Sequence, residues 1–145
     1  MRKLVLLLVA GAVAVLALAA VSFARSNVSV TAKLTVAQEV PKQAVKAPHA
    51  HGSFTATLTG KKLKWKLTFG GLSGPATAAH IHIGAMGKAG PVAVALCGPC
   101  KSGASGTATI SAAVLKKIDK HLAYVNVHTK KNPAGEIRGQ VAAGM

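Results

Sequence analysis

The sequence predicts an all-β fold: an antiparallel Greek-key β-sandwich of about eight strands, with one short helix before the last hairpin. Three observations predict it. Apolar and polar residues alternate with period two in several short runs. Glycine, proline and asparagine punctuate those runs at close intervals. No strand-like run is followed by a long helical pattern, so a parallel sheet with crossover helices is excluded.

The chain opens with a different kind of segment. Met1-Arg2-Lys3 is a basic start, Leu4 to Val21 is apolar throughout, and Ser22-Phe23-Ala24 places small residues where a signal peptidase reads. Residues 1–24 are therefore expected to be a signal peptide, with Ala19 as a second cleavage position, and residues 25–145 the folded domain. The apolar run also has the length of a membrane span, and membrane attachment is expected only if it stays uncleaved.

Removing 1–24 takes away Arg2 and Lys3 alone, so the formal charge falls by two, from +15 to +13. Only Glu39, Asp119 and Glu136 oppose it. A basic exported chain suits an anionic envelope or extracellular polymer, or a protein ligand. Nucleic acid is excluded as a partner by export and by the five aromatic residues, one of them in the signal, too few for a stacking platform.

Val28–Val36 alternates cleanly and is predicted as the first strand, closed by Glu39-Val40-Pro41. Lys42–Pro48 reads as a basic loop leading to His49-Ala50-His51-Gly52, where surface histidines are expected. Ser53–Thr59 and Lys62–Phe69 form a hairpin around Gly60-Lys61, with glycine at the first central turn position. Its pattern pairs Leu58 with Leu63, Ala56 with Trp65 and Phe54 with Leu67. Lys62, Lys64 and Lys66 then share the outer face. They read either as an anion-binding stripe or as charges that guard a sheet edge against aggregation.

Gly70–Pro75 breaks the chain before Ala79-His80-Ile81-His82-Ile83-Gly84, predicted as a strand with both histidines on one face. A glycine-rich loop, 84–90, separates it from a strand at Pro91–Cys97. Cys97-Gly98-Pro99-Cys100 spells a redox tetrapeptide, but no βαβ context surrounds it. In an exported chain the pair is expected to form a local disulfide. A loop then runs to Gly106 and a strand covers Thr107–Ser111. Ser111 is placed to cap a short helix whose Val114, Leu115 and Ile118 share a face.

The last hairpin pairs Tyr124-Val125-Asn126-Val127-His128-Thr129 with Gly135-Glu136-Ile137-Arg138-Gly139-Gln140 across a loop containing Asn132-Pro133. Val125, Val127 and Ile137 fall on one face. Tyr124, Asn126, His128, Glu136, Arg138 and Gln140 fall on the other, and a one-residue slip would bury Arg138 among the valines. His80, His82 and His128 are the candidate metal ligands, because imidazole nitrogens on adjacent strands suit copper, zinc or nickel, with copper bound most tightly. Glu136 is a candidate fourth ligand or partner to a ligand ring. The competing expectation is a structural polar face in which Asn126 satisfies backbone and Glu136 pairs with Arg138. No catalytic residue is identified: three acids supply neither a carboxylate pair nor a credible Ser-His-Asp set.

Together, Glu39-Val40-Pro41, Ala79-His80-Ile81-His82-Ile83-Gly84, Tyr124 to Thr129 and Pro133 to Gln140 resemble the CHRD domain, a family named for chordin. The resemblance runs from about Val28 to Val141. It implies an extracellular β-domain without established enzymatic activity, hence a secreted binding or structural module. Separately, the His-x-His strand and the late Val-x-Val-His strand are similar to the copper centre of Cu/Zn superoxide dismutase. That resemblance implies copper on His80, His82 and His128, with possible redox activity as the alternative function. The sequence offers no candidate for that enzyme's bridging histidine, zinc loop or loop disulfide. A third expectation is a basic adhesin for anionic surface polymers.

Export is testable directly. Mass spectrometry of the medium or envelope fraction should find a chain beginning at Arg25 or Ala20. A chain still beginning at Met1 would identify the segment as an anchor.

Overall fold

Val30, Ala32 and Leu34 alternate with exposed polar neighbours, and this half-buried pattern makes Val28–Thr35 the first strand, β1. The computed structural model describes residues 27–144. The expected signal segment lies outside the described residues. β2 (His51–Thr59) and β3 (Lys62–Gly70) follow as a hairpin, with Gly60 at φ 58° in the turn. Leu58 faces Leu63, Ala56 faces Trp65 and Phe54 faces Leu67, the register that the apolar pattern requires.

β4 (Ala76–Ile83) and β5 (Val92–Cys97) form a second hairpin, followed by β6 (Ala104–Thr109). The helix α1 (Ala112–Asp119) is capped by Ser111, whose Oγ accepts the N–H of Val114 at 3.2 Å. Its Ile118 is buried in the core. β7 (Ala123–Thr129) and β8 (Ile137–Gln140) make the last hairpin, and β9 (Ala142–Ala143) lies beside β1.

All pairings are antiparallel, in the order β5-β4-β7-β8-β1-β2-β3-β6. The two four-strand halves meet at one paired position, Thr35 with Arg138, and the outer strands β5 and β6 also touch. The chain crosses between halves after β3, after β5 and again through α1. The sheet therefore wraps over a shared apolar core in a barrel-like sandwich, filled by Phe54, Leu34, Leu58, Leu67, Ile81 and Ile137 among others. Among the described residues, no helix is long and apolar enough to cross a membrane.

Several boundaries differ from expectation. β2 begins at His51, because His51 pairs with Thr35 on one side and Gly70 on the other. β4 begins at Ala76, three residues early, where a bulge separates Ala76 from Ala78. β6 starts at Ala104 rather than Thr107, held along β3 from Leu67 to Lys62. Small residues with little side-chain pattern concealed that pairing. β3 is thus an interior strand, flanked by β2 and β6, and its lysines guard no edge.

Phe54 has no exposed surface and lies on β2, an interior strand of the β1-β2-β3-β6 half. Phe54→Ala should lower unfolding free energy by about 3–5 kcal/mol in chemical denaturation.

Candidate metal centre

β7 brings His128 beside the two histidines of β4. It lies between β4 and β8, and every one of its residues is buried. Val125 and Val127 face the core. Tyr124, Asn126 and His128 occupy the opposite row, with His82 of β4 opposite Tyr124 and His80 opposite Asn126. His128 is the next outward position beyond Asn126, diagonal to His80.

The rings converge. His80 and His128 have centroids 5.0 Å apart, His80 and His82 5.6 Å, and His82 and His128 5.7 Å. One nitrogen from each lies within 4.8 Å of the others. His80 Nδ1 and His128 Nε2 are 3.2 Å apart, close to the roughly 3.3 Å kept by two nitrogens bound about 2.0 Å from one tetrahedral ion.

Backbone carbonyls set two of the tautomers. His128 Nδ1 donates to Pro133 O at 3.0 Å, so its Nε2 carries the lone pair. His82 Nδ1 donates to Gly90 O at 2.9 Å, which likewise frees its Nε2. That Nε2 is buried and has no hydrogen-bond partner among the described residues. A buried lone pair left without a partner costs free energy, and a cation beside it removes the cost. The short His80–His128 contact needs a proton on His80 Nδ1. A metal ion held by both nitrogens would take the place of that proton.

All three imidazoles favour the neutral, ligand form. Burial pushes His128 down to about 4, assisted by His80 and His82 and opposed by the Pro133 carbonyl. Burial also lowers His80, with His82 adding to the effect. For His82, burial again dominates over the Gly90 carbonyl, and the Arg138 charge lowers it further.

Neighbouring groups hold the ring positions. Tyr124 lies between β4 and β8: His82 stacks on its ring at 4.9 Å, and the Arg138 guanidinium sits 3.5 Å from its centroid. Its hydroxyl accepts the Gly90 N–H at 3.0 Å, beside the carbonyl that orients His82. Arg138 is only 1% exposed and donates to Lys88 O and Ala85 O, which pins the loop leading to Gly90.

Glu136 corrects the expectation placed on it. Its carboxylate accepts from Ser73 N–H and Oγ–H, Thr129 Oγ1 and Asn132 Nδ2, and it neither joins the histidine donors nor partners Arg138. Strand alternation does not reach it: β8 begins at Ile137, and Gly135 at φ 135° turns the chain first. Burial raises its pKa, but the hydrogen bonds from Ser73, Thr129 and Asn132 outweigh that, and it stays low. Its effect on the site is indirect, because Asn132 precedes the Pro133 carbonyl that holds His128.

The acid that touches the outer row is Glu39. Asn126 Nδ2 donates to its Oε2 at 2.6 Å and Val40 N–H to its Oε1 at 3.0 Å. Burial pushes Glu39 up to about 7, against the pull of those two donors and of Arg138 and Lys42. A Cβ at residue 135 would lie 2.7 Å from Glu39 and 2.5 Å from Asn126, so glycine is needed there for space as well as for φ. Two sequence signals mark Glu39: its rarity, as one of three acids in a basic chain, and its place in the Glu39-Val40-Pro41 motif.

The other expected sites lie apart. Cys97 and Cys100 have sulfurs 2.14 Å apart, at disulfide distance, in the turn after β5. His49 and His51 are exposed and outside the cluster. Lys62, Lys64 and Lys66 are exposed on the outer face of the other half.

The site is a set of three convergent, buried or half-buried imidazoles on the outer face of one half of an antiparallel β-sandwich. The family model of the CHRD domain matches residues 30–141, and the chain belongs to that family. No curated protein and no solved structure matches it.

The shifted groups predict opposing pH effects in the metal-free protein. His128 titrates near 4 when folded and near 6.5 when unfolded. Its stabilising contribution is therefore complete above about pH 6.5 and is lost as pH falls towards 4. Glu39, raised from 4.5 to about 7, contributes in the reverse sense, most below pH 4.5 and least above 7. Chemical denaturation at a series of pH values separates them: in His128→Gln the loss of stability between pH 6.5 and 4 should be smaller than in the wild type.

Proposed function

We propose that this chain is a secreted metal-binding module that holds one copper ion on His80, His82 and His128. The observation that carries the reading is the convergence of the three rings, with one nitrogen of each within 4.8 Å of the others, beside a buried His82 Nε2 that has no hydrogen-bond partner among the described residues. A purely structural network would leave that atom unsatisfied. Copper is favoured because an all-imidazole donor set takes the divalent ions in an order that peaks at copper. Three rings leave at least one coordination position to water or a small ligand. Family membership and the N-terminal signal-like segment support an extracellular location.

The test is titration of tag-free, chelator-treated protein with copper(II) at pH 7. One equivalent should bind. His128→Ala should weaken binding by about 100-fold or more, by analogy with the 10- to 100-fold cost of losing even an outer partner, while His49→Ala should leave it unchanged. Affinity should stay level to about pH 6 and decline below, as protons begin to compete for the ring nitrogens. No saturable binding, or an unaltered His128→Ala, would reduce the cluster to a structural element.

A further inference from the structure

The face of β1, β2, β3 and β6 that points away from the core is built almost wholly from hydroxyls and ammonium groups. Thr31, Thr55, Lys66 and Ser105 sit opposite one another in one row across the four strands. Ser29, Thr57, Lys64 and Thr107 make the next row. All eight are exposed. Among the described residues, their side chains have no hydrogen-bond or ionic partner within the protein. A shallow depression of about 450 Å³ is lined by six of them, all but Thr31 and Thr107, together with the core-facing residues Ala56 and Trp65.

Three features make this face more than a solvated surface. β3 is interior, so its lysines are not explained as edge protection. No acid lies on it: of the three acids, Glu39 and Glu136 are buried and Asp119 is on α1. Lys62, Lys64 and Lys66 occupy alternate positions of one strand with uninterrupted register, which spaces their Cα atoms about 7 Å apart in a row.

We propose that this face binds a linear acidic polysaccharide, its negative groups against the lysine line and its sugar hydroxyls against the serine and threonine rows. Charge complementarity selects an anion, and the linear spacing selects a polymer. The hydroxyl rows favour a sugar chain over nucleic acid, since Trp65, the one aromatic ring at the depression, is only 6% exposed and offers no stacking platform. The lack of an exposed large apolar side chain on the face disfavours a lipid surface. The site is on the opposite half from the histidines and does not depend on metal.

The probe is sodium polygalacturonate, with neutral dextran, single-stranded DNA and phosphatidylglycerol vesicles as comparison ligands, titrated against the full-length secreted protein. Polygalacturonate should bind more tightly than each of the others, and log K should fall linearly with log salt. The triple variant K62Q/K64Q/K66Q should weaken binding at least tenfold and reduce the salt slope by about two to three. K116Q/K117Q/K120Q removes the same charge from α1 and its end, and should change binding less than twofold. Thr55→Val with Thr57→Val keeps every charge and should still weaken the polysaccharide complex several-fold. His128→Ala should have no effect, which separates this face from the metal reading. Equal losses in both lysine triples, or tighter binding of DNA or vesicles, would overturn the proposal.

Discussion

β7 carries polar side chains at alternate positions and is nevertheless buried on both faces. Burying such groups is unfavourable unless each finds a partner, and the surrounding structure is arranged to provide one. Asn126 has Glu39 and the carbonyl of Ile137; His128 has Pro133 and His80; Tyr124 has the backbone of Gly90. Apart from His80 in β4 and Ile137 in β8, those partners come from the segment after β1 and from the loops after β4 and β7. The strand therefore fixes the path of three loops, and through them the orientation of the histidines.

The two buried carboxylates show how local donors decide the charge of a group. Glu136 receives several hydrogen bonds and remains an anion that ties Ser73, Thr129 and Asn132 together. Glu39 receives two, and burial prevails. Both acids are used internally, while every lysine in the described residues is exposed. The outer surface is consequently more cationic than the sequence total alone conveys.

Much of this was legible in the sequence because one physical rule, alternation across a strand, covers most of it. It placed Phe54 by Leu67 and put Asn126 and Arg138 in one row. It also pointed His80, His82 and His128 to one side. The rule fails where the backbone leaves the strand, which is why Glu136 was assigned to the wrong neighbours. It is silent where side chains are small, as in Ala104–Thr109 and the two-residue β9. Nor does it report what covers a face: loops held by Arg138 and Asn132 enclose the outer polar row. Those contacts join residues about fifty to ninety positions apart, beyond any local pattern.

The ring orientation of His82 and His128 depends on main-chain carbonyls, Gly90 O and Pro133 O. Every amino acid has a carbonyl, so the donor tautomer is written in the course of the backbone, not in the identity of the orienting residue. Position 90 is constrained for a separate reason, since a Cβ there would collide with the carbonyl of Ile83. The Pro133 side chain is exposed. Among descendants of this chain, loop length around the centre should then be preserved more strictly than loop spelling: a one-residue deletion moves the carbonyl and rotates the imidazole, whereas many substitutions leave both in place.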